Sequence, residues 1–158
     1  MSPDYSTLDV EARAEQAVTY FKSGYNCAQA VYMAYADLFG MEPKTAAIIA
    51  APMGAGIGRM REVCGTVSGA ALIAGLAIPC DNPSDMAAKT RCYALVQQVA
   101  DRFREANGSI ICRELLGIAP IKESPVPSPR TEAYYKKRPC VELVKMSATF
   151  IGEELEKL

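Results

Sequence analysis

The stretch Arg91-Cys92-Tyr93-Ala94-Leu95-Val96-Gln97-Gln98-Val99-Ala100-Asp101-Arg102-Phe103-Arg104 decides the fold. Cys92, Val96, Val99 and Phe103 recur three and four residues apart, while Lys89, Arg91, Gln98, Asp101 and Arg104 fall on the other side. That is the pattern of a helix with one buried face. Pro83 and Ser84 can open it and Asn107-Gly108 breaks it, so the spacing predicts a helix over about 84–106. Working outward, the same period recurs on both sides. Val10, Ala14, Ala17, Val18 and Phe21 predict a helix over 8–23, closed by Gly24. Asn26 is a good N-cap for a second helix whose stripe is Ala28, Val31, Tyr35 and Leu38, ended by Gly40. Pro43 suits the first turn of a third, stopped by Pro52. Residues 53–65, with Gly54, Gly56, Gly58 and Gly65, read as a loop feeding a helix over 67–78. In that helix Gly65 and Gly69, four apart, let another backbone approach closely. A brief helix over 109–116 follows the long one. Pro120, Pro125, Pro127 and Pro129 then hold 117–130 as an extended surface loop. A last helix starts after Pro139 and runs through Phe150 and Leu155. No segment alternates with period two and there is no internal repeat, so the expectation is an all-α single-domain bundle of six to seven helices spanning 1–158.

The composition narrows the chemistry. The chain has 158 residues, 50% of them apolar, with 17 Lys plus Arg against 18 Asp plus Glu, and this near-neutral balance favours neither nucleic acid nor an anionic membrane. It has 0 histidines and 6 cysteines. No Ser-His or Cys-His pair, imidazole base or histidine-held metal can come from it, so cysteine is the first suspect for any chemistry. The first eleven residues carry neither a basic nor an apolar targeting pattern, and the expected compartment is the cytoplasm, where cysteines are free, metal-bound or redox-active. Residues 63–80 are uncharged and just long enough to raise a membrane span, but three glycines and Pro79 dilute them. A central helix buried on all sides is the better reading.

Four cysteines fall at predicted helix starts: Cys27 after Asn26, Cys64 at the end of the glycine loop, Cys112 in the brief helix, and Cys140 after Pro139. Unpaired N–H groups and the helix dipole there stabilise a thiolate and can lower a cysteine pKa from about 8.5 to roughly 3.5–7.5. Arg59 and Arg61 near Cys64, Arg113 beside Cys112, and Lys136, Lys137 and Arg138 before Cys140 act in the same sense. Cys92, on the apolar stripe, is expected in the core, whereas Cys80, between Pro79 and Asp81, has no clear place.

Cys64-Gly65-Thr66-Val67-Ser68-Gly69, with single cysteines at 27, 112 and 140, resembles the C_GCAxxG_C_C family of small redox-type proteins, named for four separated cysteines and a C-G-A-x-x-G motif. Asn26-Cys27-Ala28-Gln29-Ala30-Val31, Gly54, Gly56 and Cys112-Arg113-Glu114-Leu115-Leu116-Gly117 carry the same resemblance, which spans about residues 20–145. Thr66 departs from it, placing a hydroxyl beside Cys64 where the motif has alanine. The resemblance implies a redox role for Cys27, Cys64, Cys112 and Cys140, with Cys80 and Cys92 outside the pattern.

Two forms of that chemistry stay open. In one, the four thiolates are the catalytic groups of a dithiol redox protein, Cys64 attacking and Cys27 resolving. In the other, favoured because four sulfurs exceed what simple exchange needs, they are metal ligands of an iron–sulfur cluster that passes single electrons. Gly65, Arg59 and Arg61 are then the expected cofactor-contacting residues. The protein would be an oxidoreductase or an electron carrier with a redox partner protein, without nucleic acid or a membrane span, and with room for a homodimer. A different class, an anion- or nucleotide-binding module, rests on Gly54, Gly56, Gly58 and Arg59 leading into a helix, but no strand precedes them and a tight turn is the plainer explanation. Tyr134-Tyr135-Lys136-Lys137-Arg138 reads as a solvated loop edge, Met41, Met53 and Met60 as packing, and Glu153, Glu154 and Glu156 as a solvated face.

Overall fold

The computed structural model describes residues 3–158. Among these residues eight α-helices follow one another: α1 Val10–Lys22, α2 Cys27–Ala36, α3 Pro43–Ala50, α4 Gly65–Ala77, α5 Met86–Asn107, α6 Cys112–Leu116, α7 Glu132–Lys137 and α8 Cys140–Glu156. Short 3-10 turns extend α2 at Asp37–Phe39 and α3 at Ala51–Met53. The all-α expectation holds, with one helix more than the sequence pattern indicated. The addition is α7, a single turn and a half that Thr131 caps by accepting the Tyr134 N–H; it is too short for a periodic stripe to reveal.

Caps fix the other starts. Asp9 accepts the Ala12 N–H, Asp85 accepts the Ala88 N–H, and Asn26 with Gln29 forms a reciprocal capping box at α2. The stripe of α5 faces inward as read, with Cys92, Val99 and Phe103 buried.

The helix enclosed on all sides is α2, not the one over 63–80. From Ala30 to Ala36 every α2 residue is buried, with α1, α3, α4 and α8 packed around it, while Ala71, Leu72, Leu76 and Ala77 of α4 keep partial exposure and Gly75 is open to solvent. The alanines of α2 make this position possible, because small side chains let four neighbours close in. Tyr35 crosses the core and donates its hydroxyl to Ala148 O of α8 at 2.7 Å. Ser147 of α8 donates to Thr66 O of α4 at 2.8 Å. Among the described residues, no helix is long and apolar enough to cross a membrane.

The close approach expected at Gly69 is present. A Cβ there would lie 2.7 Å from Ala28 O and 3.2 Å from Val31 Cβ. The first of these is backbone and cannot rotate away. Alanine is the better helix former by about 1 kcal/mol, yet forcing α2 and α4 apart costs about 1–3 kcal/mol and strains the packing of both. Gly69→Ala is therefore expected to lower the melting temperature by a few degrees; an unchanged or higher value in thermal denaturation would show that α4 can shift freely.

Candidate functional site

The four cysteines singled out by position all sit where a helix begins. Cys27, Cys112 and Cys140 are the first residues of α2, α6 and α8, and Cys64 is the N-cap of α4. Two of them are tied together by backbone. Residues 62–64 and 110–112 run antiparallel through a bridge between Val63 and Ile111, with the Cys64 N–H donating to Ile110 O at 2.8 Å and the Cys112 N–H to Glu62 O at 2.6 Å. Gly65 makes room for Cys27, since a Cβ there would collide with the Cys27 Sγ.

All four line one cavity of about 390 Å³. Each sulfur is near enough to another for its charge to be felt: Cys27 by Cys64 and Cys140, and Cys112 by Cys27, Cys64 and Cys140. Cys64 and Cys112 are buried, and Cys27 and Cys140 keep partial exposure.

The glycine-rich loop reaches this cavity by an unusual path. Ala55, Gly56, Ile57, Gly58 and Arg59 all have positive φ, between 54° and 72°, and Arg61 follows at 61°. This is a left-handed turn closed by Gly58 N–H to Pro52 O at 2.8 Å and Glu62 N–H to Gly56 O at 2.9 Å. Each non-glycine residue in that region costs roughly 1–2 kcal/mol, and a β-branched residue such as Ile57 is an outlier there. Strain of this kind gathers where a site needs it. Here it directs the Ala55 N–H at the Cys27 sulfur and brings Arg59 and Arg61 to the cavity wall.

Arg59, Arg61, Arg130 and Arg138 line the cavity, and no carboxylate does. Arg61, only 4% exposed, points Nη1 toward Cys112 Sγ at 3.8 Å and pairs through Nε with Glu123 Oε2 at 2.5 Å. Arg59 donates to Ser124 O at 2.7 Å and Ser128 Oγ at 2.9 Å. These two arginines therefore strap the proline-rich segment to the cavity wall, which its Pro125 and Pro127 help to form. Arg130 donates to Phe21 O and Tyr25 O and stacks 4.3 Å above the Phe21 ring.

Several sequence readings change. Arg113 turns away to Glu62 and Met60 O, and Lys136 and Lys137 are exposed, so the cations acting on Cys140 are Arg138 and Arg130 instead. The run 134–138 reads in sequence as a solvated edge, but Tyr134 of α7 and Arg138 at its C-cap line the cavity, Arg138 lying 4.7 Å above the Tyr134 ring. Glu123 and Arg130 were not singled out at all. They lie in the run of prolines, which has no period from which to read an inward face. Thr66 places its hydroxyl 3.1 Å from Cys64 Sγ, as expected.

The expectation of low thiol pKa values is overturned for three of the four. Burial pushes Cys27 up, Cys64 to about 12 and Cys140 to about 11. Hydrogen bonds from Ala55 N–H to Cys27 and from Thr66 to Cys64, and the charges of Arg138 and Arg130 near Cys140, act the other way and lose. Helix-start N–H groups help a thiolate, but desolvation inside a packed bundle is larger. A thiol whose folded pKa is raised holds its proton more tightly in the native state. Its contribution is complete below the unfolded pKa of about 8.5 and is lost as pH rises toward the folded value. Metal-free protein should therefore lose melting temperature steadily between about pH 9 and 11, and a flat profile over that range would mean that these thiols are not desolvated.

Among the described residues, no three Cys, Asp or Glu side chains are grouped closely enough to hold a single metal ion. Cys92 is buried in the core as expected, and Cys80 packs against the same core cluster, away from the cavity.

Fold and cavity together define an all-α protein with a four-thiol, arginine-lined site. The chain belongs to the family described as "Putative redox-active protein (C_GCAxxG_C_C)", whose model matches residues 25–154. No curated protein and no solved structure gives a significant match.

Proposed function

We propose that Cys27, Cys64, Cys112 and Cys140 hold an iron–sulfur cluster in this cavity and that the protein carries single electrons to and from a redox partner protein. The observation that supports this most is the convergence of four cysteines from four helix starts on one cavity with four arginines and no carboxylate. The donor set fits by its chemistry, because thiolates are the usual ligands of such centres. Among the described residues no three such side chains are grouped as a single-ion site, so the ligand role rests on the convergence of the four thiols on one cavity. When bound, the cluster would take up and release one electron at a time.

The chain's own residues supply the surroundings. Arg61 beside Cys112, and Arg130 and Arg138 near Cys140, offset the negative charge of thiolates gathered in a small space. The N–H groups of Ala55 and Thr66 lie near the sulfurs of Cys27 and Cys64, and the Thr66 hydroxyl is 3.1 Å from Cys64 Sγ. Such hydrogen bonds, net charge and solvent exclusion are the levers that set a cluster's potential. The protons these thiols carry at neutral pH must leave when metal binds.

The dithiol reading draws on the nearness of Cys27 to Cys64. The burial of the attacking thiol counts against it, because attack needs a thiolate and Cys64, with a pKa of about 12, supplies almost none at neutral pH. An anion-binding module would use the same arginines but leaves the four thiols without a role. Iron and sulfide analysis of protein purified without oxygen separates these readings.

A further inference from the structure

Two cysteines lie outside the four-thiol cavity, and the fold brings them together. Cys92 sits on α5 seven residues beyond the cap Asp85, roughly 10 Å along the helix axis at 1.5 Å per residue. The connection from α4 to α5 leaves Ile78, passes Pro79 and Cys80, and turns through exposed residues 81–85, joining two helices that pack against each other. Cys80 packs against the core cluster that contains Cys92, and the two side chains are close neighbours. Both are thiols in the structure. Cys92 is buried at 7% exposure, while Cys80 is partly exposed.

We propose that Cys80 and Cys92 form a second redox site, a reversible dithiol/disulfide couple that exchanges with low-molecular-weight disulfides and is separate from the four-cysteine cavity. The accessibility difference sets the order of events. The Cys80 thiolate attacks one sulfur of the small disulfide, breaking its S–S bond, forming a mixed disulfide and releasing one thiolate, which takes up the Cys80 proton. The Cys92 thiolate then attacks the Cys80 sulfur, forming the Cys80–Cys92 bond and releasing the second small thiolate, which takes up the Cys92 proton. The protein loses two electrons and two protons; the small disulfide is reduced to two thiols. The product ties the α4–α5 connection to α5. Excess small thiol reverses each step.

The test uses the full chain, purified without oxygen and incubated with oxidised glutathione. Trypsin cleaves after Lys89 and Arg91 and so separates Cys80 from Cys92. Mass spectrometry should find the two peptides joined, fragmentation should place the bond at Cys80 and Cys92, and reduced glutathione should undo it. Cys64 shares the Cys80 peptide, so Cys64→Ser should leave the link in place and Cys80→Ser should abolish it. Cys92→Ser should trap Cys80 as a stable glutathione adduct. The proposal is overturned if the bond joins Cys92 to Cys64, if Cys80→Ser leaves its yield unchanged, or if both cysteines remain free thiols at excess oxidised glutathione. Because neither cysteine is a proposed cluster ligand, failure here leaves the iron and sulfide content, and the reading built on it, unaffected.

Discussion

Cys64→Ser protein purified without oxygen will carry less than roughly a tenth of the iron of the unaltered chain and will lose its visible absorption. Even partners that only orient a ligand change metal affinity by roughly 10–100-fold, and Cys64 is proposed as a ligand itself. Its position makes substitution hard to bypass. It is 5% exposed, it caps α4, and its backbone is fixed to Ile110, so no other cysteine can swing into its place. The serine hydroxyl is smaller than the thiol and lies where Thr66 can still hydrogen-bond it, so the fold should survive with an unchanged helical spectrum. Cys80→Ser supplies the control, since Cys80 packs away from the cavity. If Cys64→Ser kept full iron, or if Cys80→Ser lost it equally, the assignment of ligands would be wrong.

Gly56→Ala is expected to cause the largest loss of stability among substitutions at the site. Gly56 has φ of 72°, and a Cβ there would stand 2.6 Å from both Arg61 Cα and Glu62 N. Alanine in this region costs about 1–2 kcal/mol for its backbone alone. The collision adds to it, because the atoms met are backbone and Glu62 N–H is the group that closes the turn on Gly56 O. A total near 3 kcal/mol would lower the melting temperature by about 6–12 °C in a chain of this size. Arg61, whose contact with Cys112 depends on the same turn, would move as well. Gly58→Ala makes the comparison sharp. Its φ is 55° but nothing lies within 4 Å of its would-be Cβ, so only the backbone cost of about 1–2 kcal/mol remains and the drop should be a third to two thirds as large. Equal effects at 56 and 58 would show that the turn opens to relieve the clash.

What could be read without the structure follows from what periodicity records. The stripe of α5, the N-cap at Asn26 and the glycines and prolines that end the early helices are local signals, and such signals placed seven of the eight described helices within a few residues. The position of four cysteines at helix starts was legible for the same reason, since caps and prolines mark those starts. Centrality was not. Residues 63–80 and α2 are both apolar, and only the alanine content of α2, which lets four helices crowd it, decides which is enclosed. The left-handed path through Ala55, Ile57 and Arg59 was hidden because these residue types argue against it; glycines at 54, 56 and 58 announced a turn but not its hand. The proline-rich strap carries its meaning in two side chains, Glu123 and Arg130, that acquire a role only when Arg61 and the Phe21 and Tyr25 carbonyls are brought to them. The thiol pKa values reversed because a sequence shows the helix start and the nearby cations but not how completely the bundle excludes water.

The most direct measurement is iron and acid-labile sulfide on the full chain purified without oxygen, with its absorption spectrum before and after reduction. The account predicts brown protein with iron and sulfide in nearly equal amounts, visible absorption that bleaches on reduction, and Cys27, Cys64, Cys112 and Cys140 protected from alkylation until the iron is removed. Colourless protein that holds neither iron nor sulfide after reconstitution, and whose four cavity cysteines alkylate rapidly at neutral pH, would contradict it.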